Sequence, residues 1–438
     1  MDPGAAAVRW SEEVCQAYAV NTKTFYASRV YKHTDAVVDL LAELGVRTVR
    51  ERAATGDSPG ARRQRAAMPR LVERGVRWHP TVAALRDWPR AESATYEVLQ
   101  LFTDHYLPQL DGDLSALVHS FGGCNEVEGP VISGRVDPAW AEHARLMQTE
   151  LWRQFKADER TQAIPIVGPS TRSDVSVDKA EALGDLSAVS DWGNAHLYGA
   201  GGSPSRGIDR QRDILRRCFP DATRWFFTET GYSNSPQTNA GRTVPEEAAA
   251  TYAIRGICDF FVRGCVYGRF ELLDDPDPID YASQQTINAT ADRQAHFGLV
   301  AMPAESVAAA TPDTWRKKPE FYATQRFLAL MADPGSAWTP EQYGLQVSGG
   351  GQDLQQALVQ KRDGRHYLLL WRDVQVSTLY PEARTIDVPP SSITVTLPTA
   401  RPIAVYSPRD TAEPLRTAPP LTSIAVDVGA DLVVVEIG

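Results

Sequence analysis

From about residue 15 to residue 332 the sequence alternates short apolar runs with longer segments whose apolar positions recur at helical spacing. The short runs predict strands at 15–21, 46–51, 76–82, 115–121, 164–168, 191–197, 223–229 and 264–272. The longer segments predict helices at 34–44, 61–74, 92–106, 138–156, 178–186, 207–217, 245–262 and 314–331. In 34–44, Val37, Val38, Leu40, Leu41 and Leu44 share one helical face, Thr34 can cap the start and Gly45 closes the end.

Strands alternating with helices imply parallel βαβ units. Eight units in about 315 residues fit an α/β fold of the (β/α)8 barrel type, normally about 250 residues plus insertions. A doubly wound sheet shares the alternation, but no Gly-rich phosphate loop follows the first strand. The period changes after Asp333-Pro334-Gly335. From residue 341 onward, runs such as 356–361, 365–371, 391–397, 402–406 and 432–437 are β-rich and separated by turn residues. The reading is a catalytic barrel over 1–335 and a C-terminal β-sandwich over 336–438. The short second domain, continuous with the last barrel helix, reads as a packing partner more than as a binding module.

With 43% hydrophobic and 23% charged residues, the composition is that of a globular protein, and the net charge of −10 argues against a nucleic-acid partner. No run approaches the roughly 18 apolar residues of a membrane span. The N-terminus lacks the basic start and apolar run of a signal peptide. An extracellular protein whose leader has been removed is the expectation, and a cytoplasmic one stays open. Cys15, Cys124, Cys218, Cys258 and Cys265 form no C-x-x-C pair, so neither a zinc site nor a disulfide scaffold is indicated, and Cys258 and Cys265 read as buried.

In a barrel the active site lies at the C-terminal ends of the strands. Strand 4 ends in Phe121-Gly122-Gly123-Cys124-Asn125-Glu126, and strand 7 in Trp225-Phe226-Phe227-Thr228-Glu229. Two carboxyls facing each other across one barrel mouth are what glycosidic cleavage requires: one protonates the leaving oxygen, the other attacks or activates water. A nucleophile must stay ionised, and Arg50 and Tyr198 can supply a cation and a hydroxyl, with Arg52 on the same strand face as a rival to Arg50. Asn125 would donate to a sugar hydroxyl. Of the tryptophans, Trp192 in strand 6 is the best sugar-stacking candidate, ahead of Trp78, Trp88 and Trp315. His79, near a strand end, and Glu271, in strand 8, complete the candidate substrate contacts; a core histidine is the competing reading for His79, as it is for His196.

These positions resemble the large clan of retaining (β/α)8 glycosidases, cellulases and xylosidases among them, that carry Asn-Glu after strand 4 and a second Glu after strand 7. The resemblance covers roughly 15–332. It implies Glu126 as acid/base, Glu229 as nucleophile, His196 and Tyr198 as the strand-6 pair whose aromatic hydroxyl contacts the nucleophile, and Arg50 as the residue that keeps it ionised. Phe270-Glu271-Leu272-Leu273-Asp274 with His296-Phe297-Gly298-Leu299, and Lys318-Pro319, resemble the strand-8 region of several members. The sequence departs in lacking the strand-8 Trp, where Phe270 or Tyr267 would substitute, and in following Glu126 with Val127-Glu128-Gly129 before Pro130.

The expected activity is double-displacement hydrolysis of a poly- or oligosaccharide, with no cofactor and no metal. Two competitors remain. One is a catalytically idle sugar-binding barrel, since fold alone does not guarantee chemistry. The other is a metal-dependent barrel hydrolase, which needs clustered His and carboxylate ligands that eight scattered histidines do not supply.

Overall fold

A computed structural model describes residues 7–26, 30–82, 84–132, 135–235, 243–275, 295–302, 311–378 and 382–438. Eight parallel strands run in chain order: Tyr18–Asn21, Thr48–Arg52, Arg77–Thr81, Phe121–Gly122, Ile166–Val167, Gly193–Leu197, Trp225–Thr230 and Cys265–Arg269. Each pairs with its sequence neighbour, the first pairs with the eighth, and a parallel bridge between Val167 and Trp192 closes the ring. The fold is a (β/α)8 barrel. Ala19, Val167, Phe226 and Val266 plug its interior from strands one, five, seven and eight.

All eight predicted strand regions contribute to the barrel, several of them shorter than expected. In 15–21, the acid-rich Glu12–Gln16 turns into a helix and leaves Tyr18–Asn21 as strand. In 115–121, Asp113 accepts from the Ser115 amide and hydroxyl, which winds Leu114–Ala116 into a 3-10 turn; only Phe121–Gly122 remains strand, with Val118 bridged to Trp78. Helix 92–106 is regular over Ala91–Gln100 and then widens into a π-type turn over Leu101–Tyr106. Helix Thr34–Leu44 has the predicted bounds and ends on a left-handed Gly45 (φ 77°), but Thr34 is its first residue, and the capping position belongs to His33, which makes no side-chain cap bond.

The second body is a mixed seven-stranded sheet folded on itself into a sandwich. The runs 391–397 and 402–406 form one strand, Ser391–Tyr406, whose register slips between Thr396 and Ile403. Two of its partners, Gln346–Gly349 and Arg416–Val428, were not anticipated, the second because Pro419 and Pro420 lie inside it. Strand alternation explains how the body is held. Leu358, Leu368, Leu370, Val435 and Ile437 point into the sandwich, whereas Ala357, Val359, Leu369, Trp371 and Val434 join the core of the barrel. With both faces covered, His366–Arg372 reads as the nearly continuous apolar run HYLLLWR. Arg9–Trp10 adds a parallel strand to the same sheet, against Leu354–Gln360.

A few polar contacts stitch this interface. The Trp371 indole donates to Asp259 at 3.0 Å, Arg255 donates to the Val374 carbonyl at 2.8 Å, and Ser203 and Ser205 both donate to Asp373. Burial pushes the Asp259 carboxyl up to about 6, against the opposing pull of the Trp371 hydrogen bond and Arg255. All five cysteines are buried thiols. Among the described residues no helix is long and apolar enough to cross a membrane.

Candidate active site

The fourth strand reaches the barrel mouth through two glycines that nothing larger could replace. A Cβ on Gly122 would stand 2.6 Å from His79 Nε2, and one on Gly123 would stand 2.3 Å from Gln148 Oε1 and 2.8 Å from the Pro169 nitrogen. The chain then turns, and Glu126 takes a left-handed backbone (φ 43°), which a side-chain-bearing residue holds only when its surroundings enforce it. Here the Glu126 amide donates to Ser170 Oγ at 3.0 Å, the Val127 amide to the Ser170 carbonyl, and the Gly129 amide to the Glu126 carbonyl. The residues Val127-Glu128-Gly129 thus fold back on the loop after strand five, where Glu128 also accepts from the Arg172 amide at 2.7 Å.

Glu229 arrives from the seventh strand and is clasped. Arg50 Nη1 donates to its Oε1 at 2.6 Å, and the Tyr198 hydroxyl donates to its Oε2 at 3.0 Å. The same guanidinium donates to Asn21 Oδ1 at 2.8 Å and to Asn125 Oδ1, so one arginine ties together the ends of strands one, four and seven. Burial alone would raise the Glu229 carboxyl; the charges of His196 and Arg50 and the hydrogen bonds from Arg50 and Tyr198 outweigh it and hold the group below the usual carboxylate range. Burial, reinforced by the carboxylates of Glu229 and Glu126, raises the Tyr198 hydroxyl, which therefore stays a donor.

His196 sits between the two carboxylates, with Nδ1 3.0 Å from Glu126 and 3.4 Å from Glu229. Its Nε2 is buried without a partner, so Nδ1 is the nitrogen that donates to the carboxylates. Oxygen atoms of Glu126 and Glu229 lie within 4.8 Å of each other, and the Nδ1 of His196 is inside the same radius. The Glu126 side chain is 36% exposed and that of Glu229 only 12%, so one carboxyl meets the solvent and the other lies beneath it.

These groups open into a cleft of about 530 Å³. Asn125, exposed at the rim, has no bond from its amide nitrogen among the described residues. The structure separates the other candidates. His79 is buried under the site, bonded to Ser120 Oγ at 2.8 Å and set against the Phe226 ring; burial, reinforced by the Arg50 charge, lowers it to about 3, and it does not line the cleft. Trp192 does not line it either: it precedes the sixth strand, four residues before His196, edge-on to His119 and beneath Arg224. Its apolar neighbours are the interior plug, which explains a half-buried indole there without a sugar. Glu271 is fully buried and acts at one remove, accepting from Lys23 at 2.9 Å and Tyr31 at 2.8 Å. Burial raises it to about 7 against the pull of Lys23. Phe270 reaches the cleft, whereas Tyr267 is buried against Tyr18.

Several residues of the cleft were not foreseen. Asn21 ends strand one and Thr22 and Lys23 follow it, and a polar triplet at that position was the available signal. Glu51 is buried and accepts from Thr22 and Thr24 at 2.6 Å each and from the Phe25 amide at 3.0 Å, which anchors the loop after strand one. Arg52 takes no part in the clasp on Glu229.

The trio Glu126, His196 and Glu229 has the convergence of a metal site. Its donors do not fit one. Both oxygens of Glu229 are taken by Arg50 and Tyr198, and the guanidinium at 2.6 Å would repel a second cation in a largely desolvated setting.

No protein-family model and no curated protein matches the sequence. Solved structures do match. A monomeric β-xylosidase from Caulobacter crescentus CB15 aligns with a TM-score of 0.59 at 14% identity, over 99% of this chain and 97% of that one. The GH39 enzyme from Xanthomonas axonopodis pv. citri gives 0.57 at 13%, over 99% and 95%. A glucosidase from Croceicoccus marinus gives 0.56 at 14%, over 92% and 91%. The chain has the two-body fold of these proteins. At such identities the likeness is one of fold, and the chemistry has to be argued from the site.

Proposed function

We propose that the chain is a retaining glycoside hydrolase acting on a poly- or oligosaccharide, with Glu229 as nucleophile and Glu126 as acid/base. The observation that carries this reading is the spacing of the two carboxylates, whose oxygens come within 4.8 Å across the barrel mouth. Retaining enzymes place the two groups about 5–5.5 Å apart, whereas inversion needs roughly 6.5–9.5 Å to admit a water between carboxylate and sugar.

The environments divide the labour. Glu229, clasped and held ionised, attacks the anomeric carbon, while the solvent-facing Glu126 gives its proton to the departing oxygen. With the leaving group gone, Glu126 takes a proton from the incoming water, and the second displacement restores the original anomeric configuration. His196, donating from Nδ1, keeps both carboxyls in register through the cycle. Asn125, fixed by Arg50, presents its amide hydrogens to a sugar hydroxyl next to the bond being broken.

The test is hydrolysis of a panel of aryl glycosides and polysaccharides, with Glu229→Gln as blank and proton NMR of the first-formed product. A first product of the substrate's own anomeric configuration is expected. An inverted first product refutes the mechanism, and no cleavage beyond the blank across the panel favours an idle sugar-binding barrel.

A further inference from the structure

The chain carries a net charge of −10, yet its cleft is lined by five cationic residues, Arg50 among them, against four acidic ones, Glu51, Glu126, Asp174 and Glu229. Lys23, Arg52, Arg86 and Arg172 from the first, second, third and fifth strand ends line the cleft beside the catalytic pair.

Their partners differ in quality. Lys23 is saturated, lying between Glu271 at 2.9 Å and Asp275 at 3.0 Å. Arg172 approaches Asp174 at 3.5 Å in an exposed pair. Arg52 comes no nearer than 3.7 Å to Asp87, which also faces Arg90 at 3.8 Å. Arg86 is exposed and makes no ion pair or hydrogen bond among the described residues.

Arg52 lies two residues beyond Arg50, so its side chain leaves the same face of strand two, one step nearer the mouth. It and Arg86 thus stand in one cleft, where Arg52 has only Asp87 at 3.7 Å and Arg86 has no carboxylate partner among the described residues. Their mutual repulsion is felt: burial and then the Arg86 charge lower the Arg52 guanidinium from its usual value. A neutral sugar gives two such groups nothing to neutralise. A carboxylate or sulfate ester on the glycan matches the planar fork of each arginine and supplies the counter-charge that the protein leaves out.

We propose that the substrate of this cleft is an anionic glycan, whose carboxylate or sulfate group seats against Arg52 and Arg86. The inference rests on the glycosidase reading for its location and adds the substrate class.

The experiment is calorimetric titration of the full-length Glu229→Gln protein at low ionic strength. The ligands are trigalacturonate (carboxylate arm), a sulfated carrageenan tetrasaccharide (sulfate arm), and neutral xylotriose and cellotriose. Binding of at least one acidic member should be tenfold or more tighter than of either neutral one. That preference should shrink with added salt and vanish when Arg52→Gln and Arg86→Gln are added together, with the melting temperature checked for a retained fold. The arm that binds names the anion. Equal or better binding of the neutral sugars, no acidic preference in any arm, or a preference that survives the double substitution overturns the proposal. Wild-type turnover of the same ligands separates the two readings: acidic binding without cleavage sinks the hydrolase alone, and cleavage without acidic preference sinks the anionic substrate alone.

Discussion

Arg50→Gln tests the clasp on Glu229 directly. The wild-type guanidinium is 2.6 Å from the carboxylate, with side chains 9% and 12% exposed, and serves Asn21 and Asn125 as well. An opposite charge this close lowers a carboxyl by about 1–3 units, each worth about 1.4 kcal/mol. Because the pair is mostly desolvated, we expect the Glu229 carboxyl to rise once the cation is gone, while burial, His196 and Tyr198 remain. The sign follows. Glu229 must be ionised to attack, so the acid limb of kcat/KM follows its pKa, which in the wild type lies below the usual carboxylate range. In Arg50→Gln that limb should move towards neutrality, and kcat/KM at the wild-type optimum should fall about 100- to 1000-fold, the equivalent of about 3–4 kcal/mol. The assay is the pH profile of kcat/KM on whichever aryl glycoside the wild type cleaves, with Arg50→Lys alongside. Lysine restores charge but not the three-way fork, so it should return the limb towards the wild-type position without recovering full rate. A uniform fall at every pH with an unmoved acid limb would refute the electrostatic argument and leave Arg50 as a mere brace between strands.

The two glutamates should fail differently: Glu229→Ala abolishes turnover on every substrate. Glu126→Ala still glycosylates the enzyme from a good aryl leaving group, and azide restores its turnover with an azide product of retained configuration; rescue of neither variant, or an inverted azide, reverses the assignment. Asp259, raised by burial from 3.8 to about 6, contributes stability that is present below its unfolded pKa and lost as pH rises through 6. Asp259→Asn, which can still accept from Trp371, should therefore gain up to about 3 kcal/mol at pH 7–8 but not at pH 4, as read by denaturant midpoints; an equal change at both pH values contradicts it. Leu369→Ala, at the seam between the bodies, should cost about 2–5 kcal/mol and lower the solubility of the whole chain before it alters KM. An unchanged unfolding midpoint would show that the two bodies do not depend on this contact.

The fold was legible because a parallel barrel writes two periods into its sequence, and strand ends such as FGGCNE and FFTE mark where polar groups meet the mouth. The pairing of Glu229 with Arg50 and Tyr198 was legible for the same reason, since the strand numbers place those side chains on one rim. The position of Trp192 was legible, since it stands at the N-terminal end of the predicted strand 191–197, away from the C-terminal ends where the mouth lies. That His79 and Glu271 lie beneath the cleft was not legible, because burial is a property of what packs around a residue, here the Phe226 ring and Ser120 in one case and Lys23 and Tyr31 in the other. Arg86 lies in a 3-10 segment, Leu85–Arg90, with no apolar period to place it. The register slip in Ser391–Tyr406 is set by tertiary pairing and leaves no local trace in the sequence.

The pairing of Arg9 with Val359 has a consequence for how the chain is made. At about 5–20 residues per second, a ribosome needs tens of seconds to deliver the partner of a segment made 350 residues earlier, from 9 to 359. During that interval the barrel strands can close among themselves, because each needs only its sequence neighbours and the first-to-eighth seam. Trp10 and its flanking residues must wait in water. Their docking, fastened by the Trp10 indole on Asp333 at 2.6 Å and by the Arg362 guanidinium over its ring, would then be among the last acts of synthesis. A nascent chain halted near residue 340 would hold a formed barrel with a loose apolar leader and an uncovered flank, the form most exposed to aggregation and to chaperone capture.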